Sequence, residues 1–286
     1  MNFSAFYRLM RLHQPAGIWL LFLPCLFGIL LAKKFSFFYE TKPYWELCWI
    51  IFLFFIGSVV MRSAGCVIND LLDQKFDELV TRTKIRPLAA REISRTSAII
   101  LLGFLLLIGL LILLQFNLPT IVSGFVALGF VALYPLMKRI TYYPQIFLGI
   151  TFNFGILMSS LAMIKTINLS ILLLYFSAII WTVIYDTIYA FQDIEDDLRF
   201  GIKSTAIKFQ KQPKEILNLL CLAMLFGLIL CGLSANFKLG YFFVILLSCS
   251  TLIAQIKKCD LQQNSLALFK ANIWIGVGIV FAILIG

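Results

Sequence analysis

The sequence predicts an all-α fold, a polytopic membrane helical bundle of about nine transmembrane helices. Three observations predict it. The 286 residues are 61% hydrophobic and only 13% charged, with mean hydropathy +0.96, far from the composition of a water-soluble domain. Apolar runs of about 20 residues, the length at which a helix crosses a bilayer, recur along the whole chain. Lys and Arg collect in alternate gaps between these runs, as a positive-inside topology requires.

The first run, 14–32, comes after Arg8 and Arg11 and contains Pro24, which a membrane helix tolerates as a kink. No small-residue cleavage pattern precedes it, so it reads as a retained span and not a signal peptide. The second run, 46–68, leads into an acidic segment, 69–96. Runs 97–115 and 118–137 are nearly contiguous, as antiparallel neighbours in a bundle are. A short basic stretch, 138–144, introduces 145–164; the next run, 169–192, opens into a second acidic segment, 193–214. Runs 215–233, 238–255 and 268–285 complete the set. No soluble domain is visible at either end, so the chain reads as a single integral-membrane domain, 1–286. The two acidic segments come after similar runs and hint at an internal repeat of halves 1–115 and 118–233.

With the N-terminus inside, 17 of the 24 Lys and Arg residues fall in inside segments and 5 in outside ones, while Arg62 and Lys270 lie within spans. The net charge of +10 thus tracks membrane topology, and no nucleic-acid partner is expected. Both acidic segments come to the cytoplasmic or matrix side; the expected setting is a bacterial inner membrane with the site facing the cytoplasm. The seven cysteines are scattered, with no Cys-x-x-Cys spacing, and most read as small apolar residues within spans. The lone His13 leaves no pair of histidines to ligate haem.

Seven of the eight aspartates sit in two short windows, 69–77 and 186–197. The first begins Asn69-Asp70-x-x-Asp73-x-x-x-Asp77; the second has Asp186, then Asp193-x-x-Asp196-Asp197. Acidic groups are costly in an apolar chain unless paired or coordinated to metal. Residues four apart share a helix face, so Asp73 with Asp77, and Asp193 with Asp197, each point two carboxylates the same way. Hard oxygen donors of this kind suit Mg²⁺, which is commonly held by one or two carboxylates plus substrate phosphates. Arg82 and Arg86 trail the first cluster and Lys203 the second, so one diphosphate with its metal between the segments would satisfy both sets of charges. Solvated, salt-bridged surface charge is the usual fate of such runs. Two carboxylate pairs, each at the inside end of a span and each trailed by cations, argue against it here. Asp70, Asp186 and Asp196 read as supporting or helix-capping groups.

These residues carry a resemblance to the UbiA superfamily of intramembrane prenyltransferases, most closely to its 4-hydroxybenzoate polyprenyltransferase branch. The segment from Arg11 to Gly17 is similar to the family's opening Arg-Leu-x-x-Pro-x-Gly. Asn69 to Asp77 matches its first acidic motif, and Arg82-Thr83 with Arg86-Pro87-Leu88 matches the family's next stretch, Arg-Thr-x-x-Arg-Pro-Leu. Tyr134-Pro135 with Lys138-Arg139, then Pro144-Gln145, resembles a stretch of the hydroxybenzoate branch; Tyr185-Asp186 through Lys203-Ser204 resembles the second signature. One departure is plain. The family continues Pro-x-Gly where this chain has Ala89-Ala90-Arg91, which implies an altered turn with activity retained.

The resemblance implies transfer of a polyprenyl chain from polyprenyl diphosphate to the ring of 4-hydroxybenzoate, within a lipid bilayer and in ubiquinone biosynthesis, with Mg²⁺ as cofactor. It implies Asn69, Asp73, Asp77, Asp193 and Asp197 as the Mg²⁺-diphosphate set, the four aspartates being the catalytic ones, and Arg82, Arg86, Lys203 and Lys138 as diphosphate contacts. Arg139, Tyr134, Tyr185 and Asp186 become candidates for the aromatic substrate. Haem, homogentisate or dihydroxynaphthoate acceptors share the acidic motifs. A transporter would place its carboxylates near the bilayer midplane, not at span ends.

Overall fold

The computed structural model describes residues 3–35, 44–80 and 82–286, with Lys138 and Phe200 described by their backbone alone. The described residues form helices and turns, without strands. A short helix α1 (Phe3–Leu9) precedes α2 (Ala16–Lys34). Then come α3 (Tyr44–Asp77), α4 (Arg95–Leu113), α5 (Leu118–Ile140), α6 (Pro144–Ile164) and α7 (Leu169–Ala190). One 3₁₀ turn (Phe191–Asp193) and two short helices, α8 (Ile194–Phe200) and α9 (Thr205–Phe209), lead to α10 (Pro213–Ser234), α11 (Leu239–Lys258) and α12 (Ser265–Ile285). Among the described residues nine helices are long and apolar enough to cross a membrane, matching the nine apolar runs in order.

Local chemistry sets the ends. Ser94, Asn117 and Asn168 each accept a backbone N–H three residues on, capping α4, α5 and α7. Pro144 and Pro213 occupy the first positions of α6 and α10, where the missing N–H is not needed. The helix that leads into the first acidic segment outlasts its apolar run, 46–68. The helix does not stop at residue 68: α3 runs 34 residues and carries the whole Asn69–Asp77 motif as helix.

Helix α7 is the bundle's central post, buried on most of its circumference between α2, α6, α10 and α12. Trp181 at its middle is wholly buried and donates its indole N–H to Asn272 of α12 at 3.0 Å. Asn153 of α6 is also fully buried and donates to the Ala178 carbonyl and to Thr182 of α7, at 3.0 and 2.7 Å. In an apolar surround such bonds stand in place of water for groups that cannot reach it. Helices α4 and α5 turn most of their side chains outward; Phe104, Leu111, Leu118 and Val122 are each more than half exposed. That periphery is suited to lipid, and the protein is a multi-pass membrane protein.

Candidate active site

The last three turns of α3 carry the first motif. Spacing of four residues stacks Asn69, Asp73 and Asp77 on one face, while Asp70 turns inward and is 0% exposed. After α3 the chain reverses through turns that the motif's own side chains hold. Thr83 donates its hydroxyl to the Asp77 carbonyl at 3.1 Å, and Gln74 donates its amide to the Leu88 carbonyl at 3.2 Å. This brings Arg82 and Arg86 back over the aspartates.

The second motif straddles the 3₁₀ turn and α8. Gly201, at φ +68°, ends α8 in the left-handed conformation that suits glycine. Ser204 caps α9 through the Ile207 N–H. Thr205 is buried, bonds the Thr187 hydroxyl at 2.6 Å and donates its N–H to Gln145 at 3.1 Å. These bonds pin the second segment to α6 and α7, and they give Gln145 a structural task.

Arginines join the two motifs. Arg82 donates Nε and Nη2 to the two oxygens of Asp193, both at 2.7 Å. Arg86 donates Nη1 to both oxygens of Asp77, at 2.9 and 2.8 Å, and to Oδ1 of Asp70 at 3.3 Å. Arg11 donates Nη2 to the same Asp70 oxygen at 2.6 Å. Arg139 stands 3.8 Å from Asp73 and over the Phe76 ring, at the more exposed rim. Burial works against the charge of Arg82, but Tyr189 and Asp193 outweigh it and hold the guanidinium above its ordinary pKa. For Arg11, burial is likewise outweighed, chiefly by Asp70.

Both motifs open on one cavity of about 830 Å³. Asn69, Asp73, Asp77, Arg82, Arg86, Asp193, Asp197 and Lys203 line its inside end. Arg139, Tyr134, Tyr185 and Asp186 line it as well. Deeper along α4 and α5 the wall becomes apolar, with Leu107, Leu110, Leu113, Phe125 and Leu128. Lys203, expected toward a diphosphate, donates to the Ile140 carbonyl at 3.1 Å and lies over Tyr142, tying the second segment to the end of α5. The side chain of Lys138 lies outside the described residues.

Two in-span cations that line the cavity are absent from the set that the sequence suggests. Arg62 in α3 and Lys270 in α12 read there only as in-span cations, yet both line the cavity. Their signal is present in the chain, since a lone cation within an apolar span marks a functional interior. Arg62 packs over the Phe152 ring, 5.5 Å to its centre, and against the backbone of Gly17, where an added Cβ would stand 2.5 Å from Nε. Arg11 and Gln14 from the segment before α2 also face the cavity.

Asn69, Asp73, Asp77, Asp193 and Asp197 supply hard oxygen donors of the kind Mg²⁺ takes. Among the described residues no three such groups converge closely enough to hold an ion; Arg82 stands on Asp193 and Arg86 on Asp77 instead. The residues fit a divalent cation in donor type and shared placement. The two guanidinium groups are the cations in place of which a metal and its diphosphate would bind.

The chain belongs to the UbiA prenyltransferase family, whose description matches residues 21–276. It is 43% identical over 265 residues to the mitochondrial 4-hydroxybenzoate polyprenyltransferase of Dictyostelium discoideum, covering 92% of this chain and 56% of that one. The Bos taurus protein of the same name is 42% identical over 282 residues, covering 98% and 74%. This chain thus spans a little over half of the first relative's length and about three-quarters of the second's. A UbiA homolog from Archaeoglobus fulgidus, solved bound to GPP and Mg²⁺, shares the fold with a TM-score of 0.65 at 15% identity, covering 97% of this chain and 99% of that one.

Proposed function

We propose that this chain, acting as one membrane domain, transfers a polyprenyl group from polyprenyl diphosphate to the ring of 4-hydroxybenzoate and releases diphosphate, a step of ubiquinone biosynthesis. One observation carries this reading: a single cavity joins both acidic motifs and their arginines to a deep apolar chamber. The two relatives named for this activity support the acceptor. The Archaeoglobus homolog, solved with GPP and Mg²⁺, supports the cofactor. The site faces the side where Lys and Arg concentrate. That is the cytoplasm if the protein sits in a bacterial inner membrane, and the matrix if it sits where the mitochondrial relatives' names place them.

Asn69, Asp73, Asp77, Asp193 and Asp197 are the residues proposed to hold Mg²⁺ on the diphosphate. The bound ion would supply positive charge that stabilises the departing diphosphate. Arg82 and Arg86 add fixed donors to the same oxygens, a bidentate geometry that lysine cannot copy. Lys138, Lys203 and Arg139 add positive charge around the inside end. Deeper in, the apolar wall holds the prenyl chain and keeps water from capturing the allylic cation. Arg62 is the cation suited to the acceptor's carboxylate. It lies within a span, lines the cavity, and has no carboxylate partner among the described residues. Tyr134, Tyr185 and Asp186 then border the ring and its hydroxyl.

Membranes containing the protein, given 4-hydroxybenzoate, a polyprenyl diphosphate and Mg²⁺, are expected to form the ring-prenylated acid. Consumption of another aromatic acceptor, with none of this product, overturns the assignment. Asp73→Asn and Asp193→Asn are expected to abolish turnover at unchanged protein level; full activity in both sinks the site.

A further inference from the structure

Asp70 is the one carboxylate of the first motif that the proposed metal set leaves unused, and it is the most deeply buried. Its side chain is 0% exposed, Oδ1 accepts from Arg11 and Arg86, and Oδ2 has no partner among the described residues. A buried carboxylate keeps its charge only with cations held against it, and losing one of them leaves a strongly unfavourable group. We propose that Asp70, itself anchored by Arg11, is a positioning residue that holds Arg86 in register for diphosphate. This rests on the reading of Arg86 as a diphosphate contact.

The geometry supports that task in two ways. Every hydrogen bond that the Arg86 side chain makes to a described residue uses Nη1: two to Asp77 and one to Asp70. A guanidinium is planar and rigid, so fixing one nitrogen fixes the direction of the remaining edge, and Arg86 lines the cavity. The second support is that Arg86 has two carboxylate partners: were Asp77 to turn to a metal, Asp70 would be the one left to hold Arg86 in place.

Arg11 completes the device from a distant part of the chain. It precedes α2 with φ +57°, a left-handed conformation that strains a non-glycine residue and persists only where contacts hold it. Its 2.6 Å bond to Asp70 is such a contact. The opening Arg11-to-Gly17 segment thereby acquires two contacts along α3: Arg11 braces Asp70 near its end, and Gly17 lets Arg62 at its middle lie against the backbone.

The probe is inorganic pyrophosphate with Mg²⁺ on the purified protein, whose binding does not depend on the acceptor. Asp70→Asn and Arg11→Ala are each expected to weaken pyrophosphate binding about tenfold, the order seen when a ligand's supporting partner is removed. KM for polyprenyl diphosphate should rise in step, with kcat little changed. In an Arg86→Ala background neither substitution should weaken binding further. Additive losses in the double variants, or unchanged affinity in the single ones, overturn the proposal. Thermal unfolding checks that each variant is folded. If Asp70→Asn does not fold, the Arg11→Ala and Arg11→Ala/Arg86→Ala pair decides by the same two outcomes. Wild-type protein that binds Mg²⁺-pyrophosphate but does not prenylate 4-hydroxybenzoate would overturn the acceptor assignment and leave this test standing.

Discussion

Arg82 and Asp193 lie 111 residues apart in sequence and form a two-pronged ion pair, with both N···O distances at 2.7 Å. It is a direct link from the turn after α3 to the acidic motif after α7. Because the Arg82 side chain is 41% exposed, the pair adds little to stability. Its value lies in bringing a rigid guanidinium to the point where the two motifs meet. Arg82→Lys keeps the charge and loses the fork. It is expected to raise KM for polyprenyl diphosphate by about tenfold, with the melting temperature unchanged. Steady-state kinetics and a thermal melt on the same preparation check both halves.

Since Arg82 and Arg86 already neutralise Asp193 and Asp77, a divalent ion alone must displace guanidinium groups that a diphosphate would welcome. Mg²⁺ and pyrophosphate are therefore expected to strengthen each other's binding by about tenfold, within the usual range of coupling between sites. Calorimetric titration of each in the presence and absence of the other measures this. Removal of divalent ions with a chelator is expected to abolish turnover, and added Mg²⁺ to restore it.

Gly17 offers a way to move Arg62 without mutating it. A methyl group at Gly17 would press on Nε of Arg62 and push the guanidinium away from its place over Phe152. Gly17→Ala is expected to raise KM for 4-hydroxybenzoate several-fold, roughly what a misplaced charge-assisted hydrogen bond of 1–2 kcal/mol costs. KM for the diphosphate should stay put. Equal changes in both would show that Arg62 does not discriminate between the two substrates.

Arg91 stands where the family's pattern has glycine, and its φ of +57° is the conformation that glycine adopts without strain. Its side chain is mostly exposed and approaches Glu78 only at 3.9 Å. Arg91→Gly is expected to stabilise the protein by roughly 0.5–1 kcal/mol, the left-handed penalty less the entropy glycine loses on folding. Activity should be unchanged. A thermal shift in detergent reads the stability.

Trp181 and Asn272 are both fully buried, joined at 3.0 Å across α7 and α12. Asn272→Ala leaves the indole N–H without its acceptor, which costs about 1–3 kcal/mol. A lower melting temperature with both KM values preserved is expected, because neither side chain lines the cavity.

The sequence alone determined the class of fold and which acidic and basic residues cluster next to one another along the chain. Nine apolar runs, each long enough to cross a bilayer, leave few alternatives to helices, because hydrocarbon offers a backbone no other hydrogen-bond partners. Asp73 and Asp77 are legible as a pair because a helix repeats its face every four residues, whereas Asp193 falls in the 3₁₀ turn ahead of the helix that carries Asp197. Tertiary structure decided what local spacing does not encode. It set Arg82 on Asp193, Arg86 between Asp77 and Asp70, and Lys203 on a carbonyl at the end of α5. It also turned Arg62 and Lys270 toward one cavity, and made Arg11, 59 residues earlier in the chain, the anchor of Asp70. A charge is legible in a sequence, but its partner is chosen by how helices pack, and packing couples residues whose separation along the chain carries no information about their contact.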